Sequence, residues 1–282
     1  MMYKKIINKA FDFYNIDEIY KDKCFELLNK LNKNDYKSFK KICKKLYYED
    51  FNEVKKLWNI KNINELFESN VDLFVTNVIL LVGYRLHKKN MKKLKFDNEQ
   101  INIQKRRVKE CFENDLTVRK YDGIRVSQLL WAVYFIRGKI IEIGCLQFGY
   151  EDESKVKIHI PKNTNLNIIE VQKSIDKSRI EIEKIFKIKE FKYICNSWLI
   201  SNQIYSILDN NTNISKFHDL FDVIDGEDCI KDILNFVYNI DKCDNYNLLQ
   251  ENTMLQKLIK KKLMNGNKFY LGLGILNNNN LL

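Results

Sequence analysis

Apolar residues in the first half of the chain recur at helical spacing. Cys24, Leu27, Leu28 and Leu31 fall at i, i+3, i+4 and i+7, and Phe39, Ile42, Cys43 and Leu46 repeat the arrangement. Each set lines one face of a helix, so the spacing predicts two amphipathic helices. Further helices are expected over 71–87, 97–113 and 126–135, separated by short Lys- and Asn-rich connections.

The period changes after Arg137-Gly138. Residues 140–148 and 156–160 are short β-rich runs joined by the polar stretch 151–155, which predicts a β-hairpin. Ile168, Val171, Ile175, Ile182 and Ile185 form a helical stripe, and 193–200 reads as a further strand. Strand, helix, strand in this order is a βαβ unit, which sets its two strands side by side and parallel. Later helices fit 228–240 and 253–264, and 268–276 would supply a closing strand. The expected fold class is therefore mixed, α+β or α/β. An all-helical N-terminal domain occupies 1–124, and an α/β domain with a central mixed sheet occupies 125–282.

Composition narrows the possibilities. A chain of 282 residues, 45% of them hydrophobic, can bury the cores of two domains. A single proline, Pro161, and nine glycines leave too little punctuation for an all-β sandwich. The longest apolar run, 71–84, is interrupted by Asp72, Thr76 and Asn77 and falls short of the ~18–20 residues that cross a bilayer. It reads as a buried core helix, so no membrane partner is expected, and no signal-peptide pattern opens the chain. The seven cysteines are scattered, without a CxxC pair or a histidine at ligand spacing. That usage points to reduced thiols, a cytoplasmic location and no metal.

The net charge of +11 is concentrated at one end: residues 1–125 hold 28 Lys+Arg against 18 Asp+Glu, and the remainder holds 20 against 19. Lys88-Lys89, Lys92-Lys93 and Arg106-Arg107, with Tyr36, Tyr47 and Tyr48 among lysines, raise the option of a basic nucleic-acid-binding regulatory protein. Solvated helix faces account for the same residues, and no reader motif accompanies them, so nucleic acid is not the expected partner.

Three segments carry a resemblance as a set: GKIIEIGCLQF (138–148), KIHIPKNTNLNIIEVQKSI (157–175) and CNSWLIS (195–201). TNISKF (212–217), DILNFVY (232–238) and TMLQKLIKKKLMNG (253–266) continue it in order. The chain resembles the bacterial acyltransferase family that pairs an N-acyltransferase N-terminal helical domain with a GNAT-like C-terminal domain. It departs from that family's pattern at Cys145, where an arginine is usual, and at Gly149, where an acidic residue is usual. The resemblance implies a GNAT-like second domain and an acyltransferase that moves an acyl group from acyl-CoA or acetyl-CoA directly to a small amine-type acceptor. No metal is implied. A non-catalytic acyl-CoA sensor is the other reading it leaves open.

Such folds meet the diphosphate of coenzyme A with backbone N–H groups at a loop and helix N-terminus after a strand. That geometry points to Pro161, Lys162, Asn163, Thr164, Asn165 and Leu166 as cofactor-binding residues, although the usual glycine-rich loop is absent. The same stretch also reads as an ordinary connection in which Thr164 or Asn165 caps the helix. His159 shares a strand face with Lys155 and Lys157 and is a candidate to take the acceptor's proton, or a strand histidine bonded to the backbone. Ser197 and Trp198 alternate on the neighbouring strand: Ser197 is the candidate to bond the substrate, and Trp198 either lines the substrate groove or joins the core. Glu142 and Gln147 would lie on opposite faces of the preceding strand, Glu142 beside Ile140, Leu146 and Phe148. Burial there would make Glu142 a second base candidate or leave it paired with a lysine, and Gln147 would orient the substrate.

Overall fold

The most apolar stretch of the chain forms the centre of its helical part. The computed structural model describes residues 2–50, 52, 54, 66–69, 71–118, 123, 126–277 and 279. They divide into two units, Met1–Ile141 and Glu142–Leu282. The boundary expected between 124 and 125 lies outside the described residues.

The first unit contains α1 (Met2–Tyr14), α2 (Lys21–Lys30), α3 (Lys33–Tyr48), α4 (Val75–Val82), α5 (Tyr84–Lys93), α6 (Asn98–Val118) and α7 (Val126–Ile136). Every residue of α4 is buried, and α1, α2, α3, α5 and α7 all pack against it. A helix buried on all sides must satisfy its polar side chains internally. Thr76 Oγ1 donates to the Leu73 carbonyl at 2.7 Å, and Asn77 Nδ2 to the Phe112 carbonyl at 3.0 Å. The single helix expected over 71–87 is two helices, broken at Gly83. A Cβ at Gly83 would sit 2.5 Å from the Tyr47 ring and 3.0 Å from Ile136, so the break lets that ring close on the backbone. Tyr47 there donates its hydroxyl to the Ile79 and Leu80 carbonyls at 3.0 and 3.2 Å.

The division between units falls inside the first strand. The strands are β1 (Ile140–Ile143), β2 (Leu146–Asp152), β3 (Lys155–His159), β4 (Lys192–Ser197), β5 (Phe221–Asp228) and β6 (Tyr270–Leu276). They form one mixed sheet in the order β1-β2-β3-β4-β6-β5. β3 is parallel to β4 and antiparallel to β2; β6 is antiparallel to β4 and β5. β5 is an edge strand carrying Asp222, Asp225, Glu227 and Asp228, and its register with β6 shifts between Asp225 and Asp228.

The crossover from β3 to β4 is α8 (Ile168–Phe186), whose Val171, Ile175 and Ile182 are fully buried. It covers the sheet face of Phe148, Val156, Ile158, Tyr193 and Cys195; the Tyr193 hydroxyl bonds Ser178 and the Tyr150 ring packs on Phe186. After β4 come α9 (Asn202–Tyr205), α10 (Asn213–His218), α11 (Ile230–Val237) and α12 (Met254–Met264). A second apolar cluster joins Ile204, Ile233, Leu234, Ile259, Leu263 and Phe269 beneath the last two helices. α11 is shorter than the helix expected over 228–240, and β5 before it was not expected. FDVIDGED has too few apolar positions to read as a strand.

The strand expected over 140–148 is also two strands. The chain reverses through Gly144-Cys145, with φ +60° at Gly144 and no positive φ at Cys145, the pattern of a type II′ hairpin turn. A Cβ at Gly144 would lie 2.2 Å from Ser174 Oγ, so both the dihedral and the approach of α8 require glycine.

Candidate active site

β3 and β4 are the only parallel neighbours among the described pairings, and they part at their carboxyl ends. Their pairing runs through Ile158↔Cys195. One residue further, His159 is paired to Gln147 on β2, while Asn196 and Ser197 are paired to Leu273 and Gly272 on β6. Each strand thus stays paired to its outer neighbour while the ladder between them ends. In open sheets with crossover helices, ligands bind at such carboxyl ends.

The connection from β3 to α8 is built by its polar side chains. Thr164 closes a turn on the Pro161 carbonyl, with its N–H at 3.2 Å and its Oγ1 at 2.7 Å. Asn163 takes φ +63° within that turn, a conformation asparagine tolerates. Lys162 Nζ donates to Asn239 Oδ1 at 2.9 Å, and Asn165 Oδ1 accepts from Asn213 Nδ2 at 2.9 Å. Leu166 is a core residue, 4% exposed. The helix cap is therefore neither Thr164 nor Asn165, both engaged elsewhere. It is Asn167, whose Oδ1 accepts from the Ile169 and Glu170 N–H groups at 3.0 and 3.4 Å. Asn167 three residues before Glu170 is a sequence-level helix-start signal, so this cap was readable in advance.

Ser197 ends β4, and its Oγ accepts from Leu199 N at 3.2 Å, capping a 3-10 turn over Trp198–Ile200. Trp198 thus lies in that turn and does not continue the strand alternation expected of it; it is half-buried against the second apolar cluster. Gly272 faces the turn: a Cβ there would stand 2.6 Å from the Ile200 carbonyl oxygen.

His159 is half-buried on the face away from α8. Burial, helped by Lys157, lowers its imidazole to about 3. At neutral pH the ring is uncharged, the form a proton acceptor needs, but weakly basic. Cys195, at the parting point, is pushed up to about 12 by burial, so it presents a thiol and not a nucleophilic thiolate.

Glu142 and Gln147 are both buried, and Gln147 Nε2 donates to Glu142 Oε2 at 2.7 Å. They therefore share a face and do not lie on opposite ones. A two-residue turn sets residue 142 opposite 147, and opposite residues of an antiparallel pair point the same way. Leu146 and Phe148 take the other side. Since Gln147 is also the register partner of His159, Glu142, Gln147 and His159 form a row across three strands. Ser197 lies beyond this row on the other phase of β4.

Acyl-CoA presents an anionic diphosphate and a thioester on a long arm. The exposed Lys162, the turn N–H groups and the positive end of α8 suit the former; the carboxyl ends of β3 and β4 are where such a fold places the latter. The Asn167 side chain already takes two of the N–H groups at that helix end. Among the described residues there is no group of three or more His, Cys, Asp or Glu able to hold a metal ion. No helix among them is long and apolar enough to cross a membrane.

The comparisons with known proteins agree with this architecture. A solved acyltransferase in complex with decanoyl-CoA superposes with a TM-score of 0.70 at 14% identity, covering 95% of this chain and 86% of that one. An acyltransferase in complex with CoA and 10C-Teicoplanin matches with a TM-score of 0.70 at 13% identity over 95% and 86%. A third, in complex with decanoyl-CoA and teicoplanin, gives 0.66 at 12% over 96% and 98%. At these identities the likeness is one of fold. No curated protein sequence matches. The family model described as GNAT-like C-terminal domain matches residues 93–276, well over half of the chain. This protein, mixed α/β with a helical N-terminal region, belongs to the family defined by the GNAT-like C-terminal domain.

Proposed function

We propose that this protein is an acyltransferase that moves an acyl group from acyl-CoA to an amine on a small-molecule acceptor by direct transfer. The observation that carries the reading is the parting of β3 and β4 after Ile158↔Cys195, beside the N-terminus of α8 and edged by His159 and Ser197. Family membership and the acyl-CoA bound to the structurally similar acyltransferases support it.

In this reading the diphosphate rests on the Pro161–Thr164 turn and Lys162, with Asn165 holding the turn to Asn213. The thioester lies at the carboxyl ends of β3 and β4. The acceptor nitrogen attacks the thioester carbonyl carbon, a C–N bond forms, the C–S bond breaks, and the nitrogen's proton passes to His159. The sulfur leaves as the coenzyme A thiol once it gains a proton. Ser197 Oγ accepts from Leu199 N, so its own proton is available to a substrate oxygen. Trp198 flanks the acyl arm, and the Glu142–Gln147 pair stands behind His159. The free cysteines accord with a reducing cytoplasm.

The experiment is thermal stabilisation of the full chain by coenzyme A thioesters of graded acyl length, at low and high salt. A ligand at 100 times its Kd stabilises by about 2.7 kcal/mol, a readily measured rise in Tm. A shift that survives salt and depends on acyl length supports the donor assignment. No shift with any thioester sinks it.

A further inference from the structure

We infer that the acceptor amine carries an extended apolar group, which lies across the face of β4, β6 and β5 turned away from α8, over Ile194, Leu273, Ile275 and Ile224. The inference names the acceptor class for the site proposed above and rests on that reading for its catalytic meaning.

The two faces of these strands differ in what covers them. Tyr193, Cys195, Gly274, Leu276 and Phe221 share the face on which α8 packs, and all are buried. Ile200 closes on the sheet there: a Cβ at Gly274 would stand 2.8 Å from Ile200 Cδ1. The alternate residues share the opposite face, where the register sets Ile194 beside Ile275 and Leu273 beside Ile224. Ile275 and Ile224 are 48% and 67% exposed, and Ile194 and Leu273 are half-buried. Four adjacent apolar side chains left open on one strand face form a contact surface, unlike apolar residues scattered singly.

The position of this surface selects its occupant. His159 lies on the same face of β3, in the row that continues through Asn196 on β4 to Leu273 and Ile224. In direct transfer, the nitrogen that gives its proton to His159 approaches from that face, so the group attached to the nitrogen extends along it. Three strand spacings of ~4.8 Å set Ile224 about 14 Å from His159 along the row, within the reach of an alkyl chain. Asn196, exposed in the middle of the row, offers its carboxamide to the amide being formed. Lys157 and Asp222 flank Ile194 and Ile275 in the neighbouring row, so the apolar strip is narrow. A stable dimer takes ~800 Å² from each partner, more than four side chains supply, so a small molecule suits the strip and a second copy does not.

The test is calorimetric titration of the full-length protein, with and without coenzyme A, by propylamine, hexylamine and octylamine, with glucosamine as a polar amine. A chain lying on a face is covered on one side, so each added methylene should raise affinity about twofold, half the free energy of fully burying a CH2 group. Glucosamine should bind more weakly than any of the three. Ile224→Thr and Ile275→Thr keep a β-branched residue on each strand and should weaken octylamine about threefold or more while leaving propylamine unchanged. Ile180→Gln, at a position 70% exposed on α8, should leave the series as in wild type. An equal loss in that variant would mark the binding as unspecific and overturn the inference. So would affinity independent of chain length, or an unchanged series in both folded threonine variants. If those variants weaken decanoyl-CoA relative to acetyl-CoA but spare octylamine, the face takes the donor's chain and the inference fails. Absence of any thioester-dependent rise in Tm removes the acyltransferase reading, while length-dependent amine binding sensitive to Ile224 would still stand.

Discussion

The Ser174 hydroxyl accepts a hydrogen bond from the Cys145 backbone N–H at 3.0 Å and donates to the Glu170 carbonyl at 2.7 Å. One side chain of α8 thereby pins the β1–β2 turn, and with it the register that brings Glu142 opposite Gln147. Ser174→Ala leaves the Cys145 N–H without that partner in a half-buried site and should cost about 1–2 kcal/mol in urea unfolding. Gly144→Ala adds a positive-φ penalty and a collision with the same hydroxyl, so its loss should be larger, about 2–3 kcal/mol. An alanine at 144 that unfolds no earlier than wild type would contradict this picture of the turn.

Asn167→Ala should separate helix stability from ligand binding. Loss of the cap costs about 1 kcal/mol. It also frees the Ile169 and Glu170 N–H groups, so affinity for coenzyme A should hold or rise while Tm falls. A parallel loss of affinity in calorimetry would show that Asn167 itself contacts the ligand.

Gly272→Ala should do the reverse of a local surface change. Its Cβ would press on the Ile200 carbonyl at 2.6 Å, and something in the 3-10 turn carrying Trp198 must shift. Decanoyl-CoA binding is expected to weaken at least severalfold, together with a stability loss of about 1–3 kcal/mol. Unchanged binding in a folded variant would remove the turn from the site.

Stability should fall on acidification because of His87. This ring is fully buried in the helical unit, with the Tyr14 hydroxyl 3.0 Å from Nδ1, and burial lowers it from 6.5 to about 3. Between those values the unfolded chain binds a proton that the folded chain refuses, so its stabilising contribution is complete above pH 6.5 and lost as pH falls toward 3. The slope is roughly 1 kcal/mol per pH unit from this group. His87→Gln keeps a polar partner for Tyr14 and should flatten the dependence between pH 6.5 and 5; equal slopes in urea titrations would assign the effect elsewhere.

His159→Ala and Ser197→Ala should each keep acyl-CoA binding, since neither supplies a positive charge to the diphosphate. Loss of turnover with retained calorimetric affinity is the outcome expected of catalytic groups, with about a hundredfold or more lost if His159 is the base. Turnover unchanged in His159→Ala would move the base to another residue.

The crossover unit was readable because the apolar period switches sharply, from two in KVKIH to about 3.6 along Ile168, Val171, Ile175 and Ile182. Once strand, helix and strand are fixed, the parallel pairing and the position of His159 at its end follow. The β1–β2 reversal was hidden because apolar residues continue on both sides of Gly144, and only the glycine marks the turn. Missing it inverted the facing of Gln147. Register depends on turn length, and a single residue of error moves every side chain to the other face. The strand reading of 193–200 failed at Trp198 for another reason. Ser197 offers its hydroxyl to Leu199 N, and that local bond outcompetes extension of the ladder. β5 escaped notice because its carboxylates break the alternation that marks a strand.

Those carboxylates govern how the sheet ends. A free strand edge offers a row of donors and acceptors to any extended chain, and the next strand would lie only ~4.8 Å away. Asp222, Asp225, Glu227 and Asp228 on β5 would meet their own copies at that spacing, and the register shift before Asp228 twists the edge out of line. In crowded solution the acidic margin makes stacking of one sheet on the rim of another self-repelling, so assembly into fibres is disfavoured along that side of the molecule.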